Sequence, residues 1–155
     1  MRRGLLVLLL GPLLTAGCST RSDVAPPASG ALLHAAAHGD GDSWKDTAGR
    51  EYRLGLVNTP ELDECYGQTA SAERKRLVRN GFRAVVYTKD THGRLVSVVY
   101  LADGTNLNVF LARHGYANDR YLARFRHENP ALAAQLDPAF AAARRERAGL
   151  WGACG

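Results

Sequence analysis

The sequence predicts an α+β domain in which short strands curl around a small barrel core and helices pack outside it. Three observations point there. Residues 82–88 and 95–101 are rich in Val and Tyr and flank the turn Lys89-Asp90-Thr91-His92-Gly93. Residues 31–38 and 50–57 read as further strands, the first running into an Asp40-Gly41-Asp42 turn and the second following Thr47-Ala48-Gly49. Between and after these runs, apolar residues take helical spacing and are closed by glycine.

Residues 69–80 read as a helix charged on one side, with Leu77 and Val78 inward and Gly81 behind it. Asp103-Gly104 is a hairpin-type turn signal. Leu107, Phe110, Leu111 and His114 recur at i, i+3, i+4 and i+7 and are closed by Gly115. Asn129-Pro130 and Asp137-Pro138 each place a capping side chain before a proline at a first helical position. The last helix is then expected over 138–148, followed by Gly149 and an anchoring Leu150-Trp151.

The domain is expected over residues 31–155. Residues 1–17 read as a signal peptide: a basic Met1-Arg2-Arg3, an apolar run from Leu5 to Leu14, and small residues before Cys18. That run is too short to span a bilayer comfortably. Cys18 after Ala16-Gly17 resembles a bacterial lipobox, which implies a lipidated N-terminus, an exported location and a membrane anchor. The alternative is ordinary secretory cleavage nearby, with Cys18 incidental. Residues 18–30 are small, polar and Pro-containing, a tether. With Cys18 lipidated, Cys65 and Cys154 remain as one pair for an oxidising compartment, worth roughly 4–5 kcal/mol by loop entropy. Two free buried thiols are the other possibility.

The whole chain carries +5. Loss of Arg2 and Arg3 with the leader leaves 18 basic against 15 acidic side chains, +3. This mild bias suits a polyanionic substrate and argues against passive coating of nucleic acid, which needs a denser basic surface.

Three segments carry chemistry: Asp40-Gly41-Asp42-Ser43, the stretch from Arg53 to Asn58-Thr59-Pro60-Glu61, and His92-Gly93-Arg94. Phosphodiester hydrolysis requires neutralisation of charge on the phosphoryl oxygens and an aimed water. Arginine grips phosphate with its planar fork, a carboxylate-held hard cation shares the load, and a free carboxylate handles the water. Pro60 ends the strand that starts with Arg53 and lifts Glu61 out at its end.

These motifs, in this order, resemble the staphylococcal nuclease (thermonuclease) family. The resemblance runs from about residue 33 to 155. It includes Tyr66-Gly67-Gln68 with Ala70, Asp90-x-x-Gly93-Arg94, Asp103-Gly104, Asn108 with Leu111 and Gly115, and Gly149-Leu150-Trp151. It implies a five-stranded OB-fold barrel with about three helices, and Ca²⁺-dependent cleavage of DNA and RNA at the 5′ P–O bond, single strands included. In the family pattern Asp42 matches a calcium ligand and Thr59 a residue whose backbone carbonyl binds calcium. Arg53 and Arg94 match the phosphate-gripping pair, and Glu61 the group that positions or activates water. Tyr121 falls where the family has a tyrosine near the nucleotide.

Three departures stand out. Asn58 replaces a second calcium-binding Asp, supplying an oxygen without charge. Thr91 and His92 stand where the staphylococcal enzyme has a lysine and an aromatic against the nucleotide. The stretch from Glu61 to Tyr66 is short, which trims a loop over the site. Asp40, Asp63 and Glu64 are candidates to restore negative charge. The expectation is a monomeric exported nuclease; the alternative, motivated by Asn58, is a catalytically weakened nucleic-acid-binding OB module.

Other groups weigh less. His34 and His38 have helical metal-ligand spacing, but in a strand their rings stand about 13 Å apart. Arg74, Lys75, Arg76 and Arg79 read as the solvated face of a helix, with phosphate tracking as the alternative. Trp44 and Trp151 read as core or closure residues.

Overall fold

A computed structural model of the chain describes residues 30–154. The leader, Cys18 and all of the tether but Gly30 lie outside the described residues. Five strands, β1 (Ala35–His38), β2 (Ser43–Asp46), β3 (Glu51–Leu54), β4 (Phe82–Lys89) and β5 (Leu95–Leu101), form one sheet in the order β1-β2-β3-β5-β4. Helix α1 (Gly67–Val78) precedes β4, and α2 (Leu107–Arg113), α3 (Leu122–Phe125), α4 (Pro130–Arg145) and α5 (Leu150–Ala153) follow β5. The α+β class with three substantial helices stands, α3 and α5 being single turns.

The sheet is mixed and curls without closing as a continuous ladder. All neighbours are antiparallel except β3 and β5. Leu33, just before β1, bridges Phe82 at the start of β4 through two backbone bonds of 2.8 and 2.9 Å. That bridge draws the two edges together at one end. The parallel pairing sets Arg53 opposite Val96, so the end of β3 and the start of β5 lie side by side.

Alternation along β2 and β3 puts Trp44, Tyr52 and Leu54 into the core. Phe82 meets Trp44 and Tyr52 edge-on at ring distances of 5.2 and 5.3 Å. Phe82→Ala removes the ring on which both others lean, and should cost about 3–5 kcal/mol in a urea unfolding experiment. β5 is an interior strand between β3 and β4, and Val98 to Leu101 are buried in succession. Buried Asn108 of α2 fastens the helix to the sheet: it accepts from Val99 N and donates to the carbonyls of Gly55 and Ser97.

Four local expectations are corrected. β2 is a strand where the sequence suggests no element, because Ser-Trp-Lys-Asp offers little strand signal. β3 stops at Leu54, where Gly55 and Leu56 turn the chain instead of extending it to residue 57. Asp137-Pro138 starts no helix. Pro138 lies inside α4, on its exposed side, while Leu132, Leu136, Ala139, Phe140 and Ala143 form a continuous buried strip that carries the helix through. Asp137 instead pairs with Arg126 at 3.0 Å. Asn129 does cap α4, accepting from Leu132 N at 3.0 Å.

The fourth correction concerns Arg74. It is fully buried, whereas Arg76 does lie at the surface and pairs with Glu73. Trp44 is core, as expected, and Trp151 is half-buried beneath Arg144, whose guanidinium carbon stands 4.4 Å from the ring centre. His34 and His38 lie on extended chain, and His38 accompanies Arg74. Cys65, in the turn before α1, is joined by a disulfide to Cys154 after α5.

Candidate active site

Four segments converge on one cleft of about 470 Å³. The β1–β2 loop brings Asp40 and Asp42. The end of β3 and the chain beyond it bring Arg53, Leu56, Asn58 and Glu61. The β4–β5 turn brings Thr91, His92 and Arg94, and α3 with its 3₁₀ extension brings Tyr121, Phe125 and Glu128. Every side chain assigned a catalytic or substrate role from the sequence therefore lines a single space.

Asp42 is 2% exposed, and its Oδ2 accepts from Thr59 N at 2.8 Å and pairs with Arg53 Nη2 at 3.1 Å. Burial and the neighbouring Asp40 push its carboxyl up to about 7, and Arg53 and the Thr59 N–H only partly oppose them. The ion pair and the raised pKa pull in opposite directions. Burial is the larger effect, because one guanidinium and one N–H do not replace the water removed from the Asp42 carboxylate. Arg53 is held rigidly, its Nη1 donating to the carbonyls of Leu54 at 2.7 Å and Val57 at 2.9 Å.

Arg94 is presented by the Asp90-to-Arg94 turn. Gly93 takes φ 80°, a conformation suited to glycine, and Asp90 accepts from the backbone N and Nε of Arg94 at 3.0 and 2.7 Å. Burial alone would raise Asp90; hydrogen bonds from Arg94 and His92 N–H hold it below the usual carboxylate range. Asp90 thus grips one edge of the fork, and the terminal nitrogens make no hydrogen bond among the described residues.

Asn58 pairs through its backbone with Asn118, at 3.0 and 2.7 Å, and this bridge ties the Thr59–Glu61 segment to the chain leading into α3. Glu61 is exposed, in a tight turn closed by Glu64 N to its carbonyl and by its own N–H to Glu64 Oε2 at 2.9 Å. The Glu61 carbonyl lies so close to Gly67 that a Cβ there would collide with it. Glu64 therefore braces the turn, and neither Glu64 nor Asp63 is among the cleft residues. Asp40 alone of the three candidates lines the cleft.

Residues 51–153 match the family model described as Staphylococcal nuclease homologue. The chain belongs to the staphylococcal nuclease family. It is also 32% identical over 116 residues, covering 72% of this chain and 71% of the relative, to a protein named "Uncharacterized endonuclease" from Escherichia coli O157:H7. A protein of the same name from Escherichia coli matches to the same extent. The five-stranded sheet is the OB-like core of a staphylococcal nuclease-family domain. The Asp40–Asp42 loop precedes the matched span, so its place in the site rests on geometry.

In this family member the donor set suits a hard cation, because Asp40, Asp42, Asn58 and Glu61 at the cleft all offer oxygen. The raised Asp42 marks a buried carboxyl whose anion is short of compensation, a deficit a cation would relieve. Thr59, whose N–H binds Asp42, has a buried Oγ1 with no hydrogen-bond partner among the described residues. The set is lean, however: among the described residues no three His, Cys, Asp or Glu side chains are grouped as a metal centre.

Tyr87 and Phe125 also line the cleft without any signal in the sequence, and the grip of Asp90 on Arg94 is likewise visible only in the structure. A β-bulge between Val86 and Thr88 turns Tyr87 so that its buried hydroxyl lies over Gly55. A bulge inside a smooth Val-Tyr run leaves no mark in sequence.

Proposed function

We propose that this chain is a calcium-dependent nuclease that hydrolyses DNA and RNA at the 5′ P–O bond, outside the cytoplasm, as a monomer tethered through lipid on Cys18. The observation that carries the reading is the convergence of Arg53, Arg94, Glu61 and Asp42 on one cleft. A phosphate between Arg53 and Arg94 would have its developing charge met by two planar cations, one already fixed and one with terminal nitrogens to spare. Glu61, exposed at the rim, is suited to orient or deprotonate a water. Asp42, the Asn58 amide oxygen and the Thr59 carbonyl, with Asp40 adjoining, would hold calcium, which would polarise the phosphoryl oxygen. Tyr121 and His92 would face the nucleotide.

A second reading, a nucleic-acid-binding module with weakened catalysis, is favoured by Asn58 and by the engagement of Asp42 with Arg53. A calcium titration of single-stranded DNA cleavage by residues 31–155, wild type beside Asn58→Asp, separates the two. We expect EGTA-sensitive cleavage in the wild type and a calcium midpoint about tenfold lower in Asn58→Asp, because a formal charge is restored. Unmeasurable wild-type turnover, with calcium binding only in the variant, would establish the binding module instead.

A further inference from the structure

We propose that Arg74 is a positioning residue that presets the Asp40–Ser43 loop for cation binding, acting from behind the cleft. The inference rests on the nuclease reading but assigns a residue which that reading does not use.

Arg74 projects from α1 into the protein with no exposed surface. Its Nη2 donates to the carbonyls of Asp40 at 2.5 Å, Ser43 at 3.2 Å and Gly39 at 3.4 Å, and its Nη1 meets His38 Nδ1 at 2.6 Å. The guanidinium carbon sits 5.2 Å from the centre of the Trp44 ring. One turn earlier, Ser71 Oγ donates to the Gly39 carbonyl at 3.0 Å. All these oxygens belong to the loop that carries the two cleft carboxylates.

The loop completes the linkage. Asp40 Oδ1 accepts from Asp42 N at 3.2 Å, Ser43 N at 3.0 Å and Ser43 Oγ at 2.8 Å, which fixes the carboxylates relative to each other. Gly41 lies directly against Thr59, where a Cβ would stand 2.8 Å from Thr59 Cγ2. Asp42 then reaches Thr59 N. A chain of contacts therefore runs from Arg74 through the loop to the residues proposed to hold calcium.

Arg74 is compensated in the interior by loop carbonyls and the Trp44 ring, and by no carboxylate within ion-pair distance among the described residues, so what it stabilises is the conformation of the loop. A buried charge without an ion pair is costly, and a long apolar side chain would fill the space over Trp44. Burial pulls Arg74 down to about 10, against Asp40 and Asp42, so it stays charged at neutral pH. The benefit is order: two carboxylates that repel each other are held side by side before any cation arrives, and binding need not assemble them.

The test uses Arg74→Met in the purified full-length chain, with two readouts. In calcium-free buffer, amide exchange at Ser43 and Thr59 should quicken at least tenfold, with Val99, bonded to Asn108, unchanged. In single-stranded DNA cleavage, the calcium midpoint should rise about tenfold while kcat at saturating calcium stays within about threefold. Arg74→Lys, which keeps the charge and one donor group, should fall between. Should Arg74→Met fail to fold, Ser71→Ala removes the second grip on Gly39 and should shift the same readouts two- to threefold. Unchanged exchange with an unmoved midpoint overturns the proposal, as does loss of kcat at saturating calcium without a midpoint shift. Absent wild-type cleavage would defeat the nuclease reading, and amide exchange alone would still decide the role of Arg74.

Discussion

Arg53→Ala is expected to lower single-stranded DNA cleavage about 10³-fold at saturating calcium, and to destabilise the fold more at pH 8 than at pH 5. The first part follows from position: Arg53 is the fixed half of the proposed phosphate clamp, with a side chain only 12% exposed. Removing one preorganised donor from a developing oxyanion costs about 10²–10³ in rate, and Arg53 also pairs with the proposed calcium ligand Asp42. The second part follows from burial. Breaking a buried pair by deleting one partner costs about 3–5 kcal/mol when the other charge stays. Asp42 need not stay charged, since burial already raises it to about 7, and loss of the Arg53 guanidinium raises it further. A carboxyl whose folded pKa lies above its unfolded one is harmless below the unfolded value. It costs progressively more stability as pH rises toward the folded value. At pH 5 Asp42 is protonated in both folded proteins, and the gap reflects mainly the lost bonds to Leu54 and Val57. At pH 8 the wild type has reached its full penalty and the variant is still accumulating one, so the gap widens. Urea unfolding at the two pH values measures it. An equal gap at both would show that Asp42 is not the group left uncompensated, and wild-type turnover would remove Arg53 from the clamp.

The residues most exposed to chemistry were the most legible in sequence. Arg53, Glu61 and Arg94 sit in short segments punctuated by Pro60 and Gly93, and punctuation of that kind survives into structure as strand ends and turns. β4 and β5 were legible because a long Val-Tyr run has few other uses. What stayed hidden was set by contacts far apart in the chain. The parallel pairing of β3 with β5, which puts Arg53 near Arg94, has no local signature. Arg74 was misread for the same reason. Four basic residues in a helix look like a solvated face, and only the loop packed above α1 provides the carbonyls that make one of them a core residue. Pro138 shows the converse, a local helix-start signal overridden by a buried strip that runs through it from Leu132 to Ala143.

Glu61→Gln should lower kcat by about 10²–10⁴ while leaving the fold within about 0.5 kcal/mol of wild type. The separation is possible because Glu61 is exposed and its side chain makes no hydrogen bond or ion pair among the described residues. The turn around it is held by backbone and by its neighbour, through Glu64 N to the Glu61 carbonyl, Glu61 N to Glu64 Oε2, and the close approach to Gly67. Glutamine keeps shape and hydrogen bonding but cannot take a proton from water, so the loss should appear in kcat and leave the substrate KM nearly unchanged. Glu64→Gln is the matching control. It removes the same formal charge three residues away, and its amide oxygen can still accept from Glu61 N, so turnover should stay within a few-fold of wild type. Equal losses in both variants would mean that the rim's negative charge matters rather than a proton acceptor at Glu61. An unaffected Glu61→Gln would shift the water-handling role to Asp40, whose carboxylate lines the same cleft.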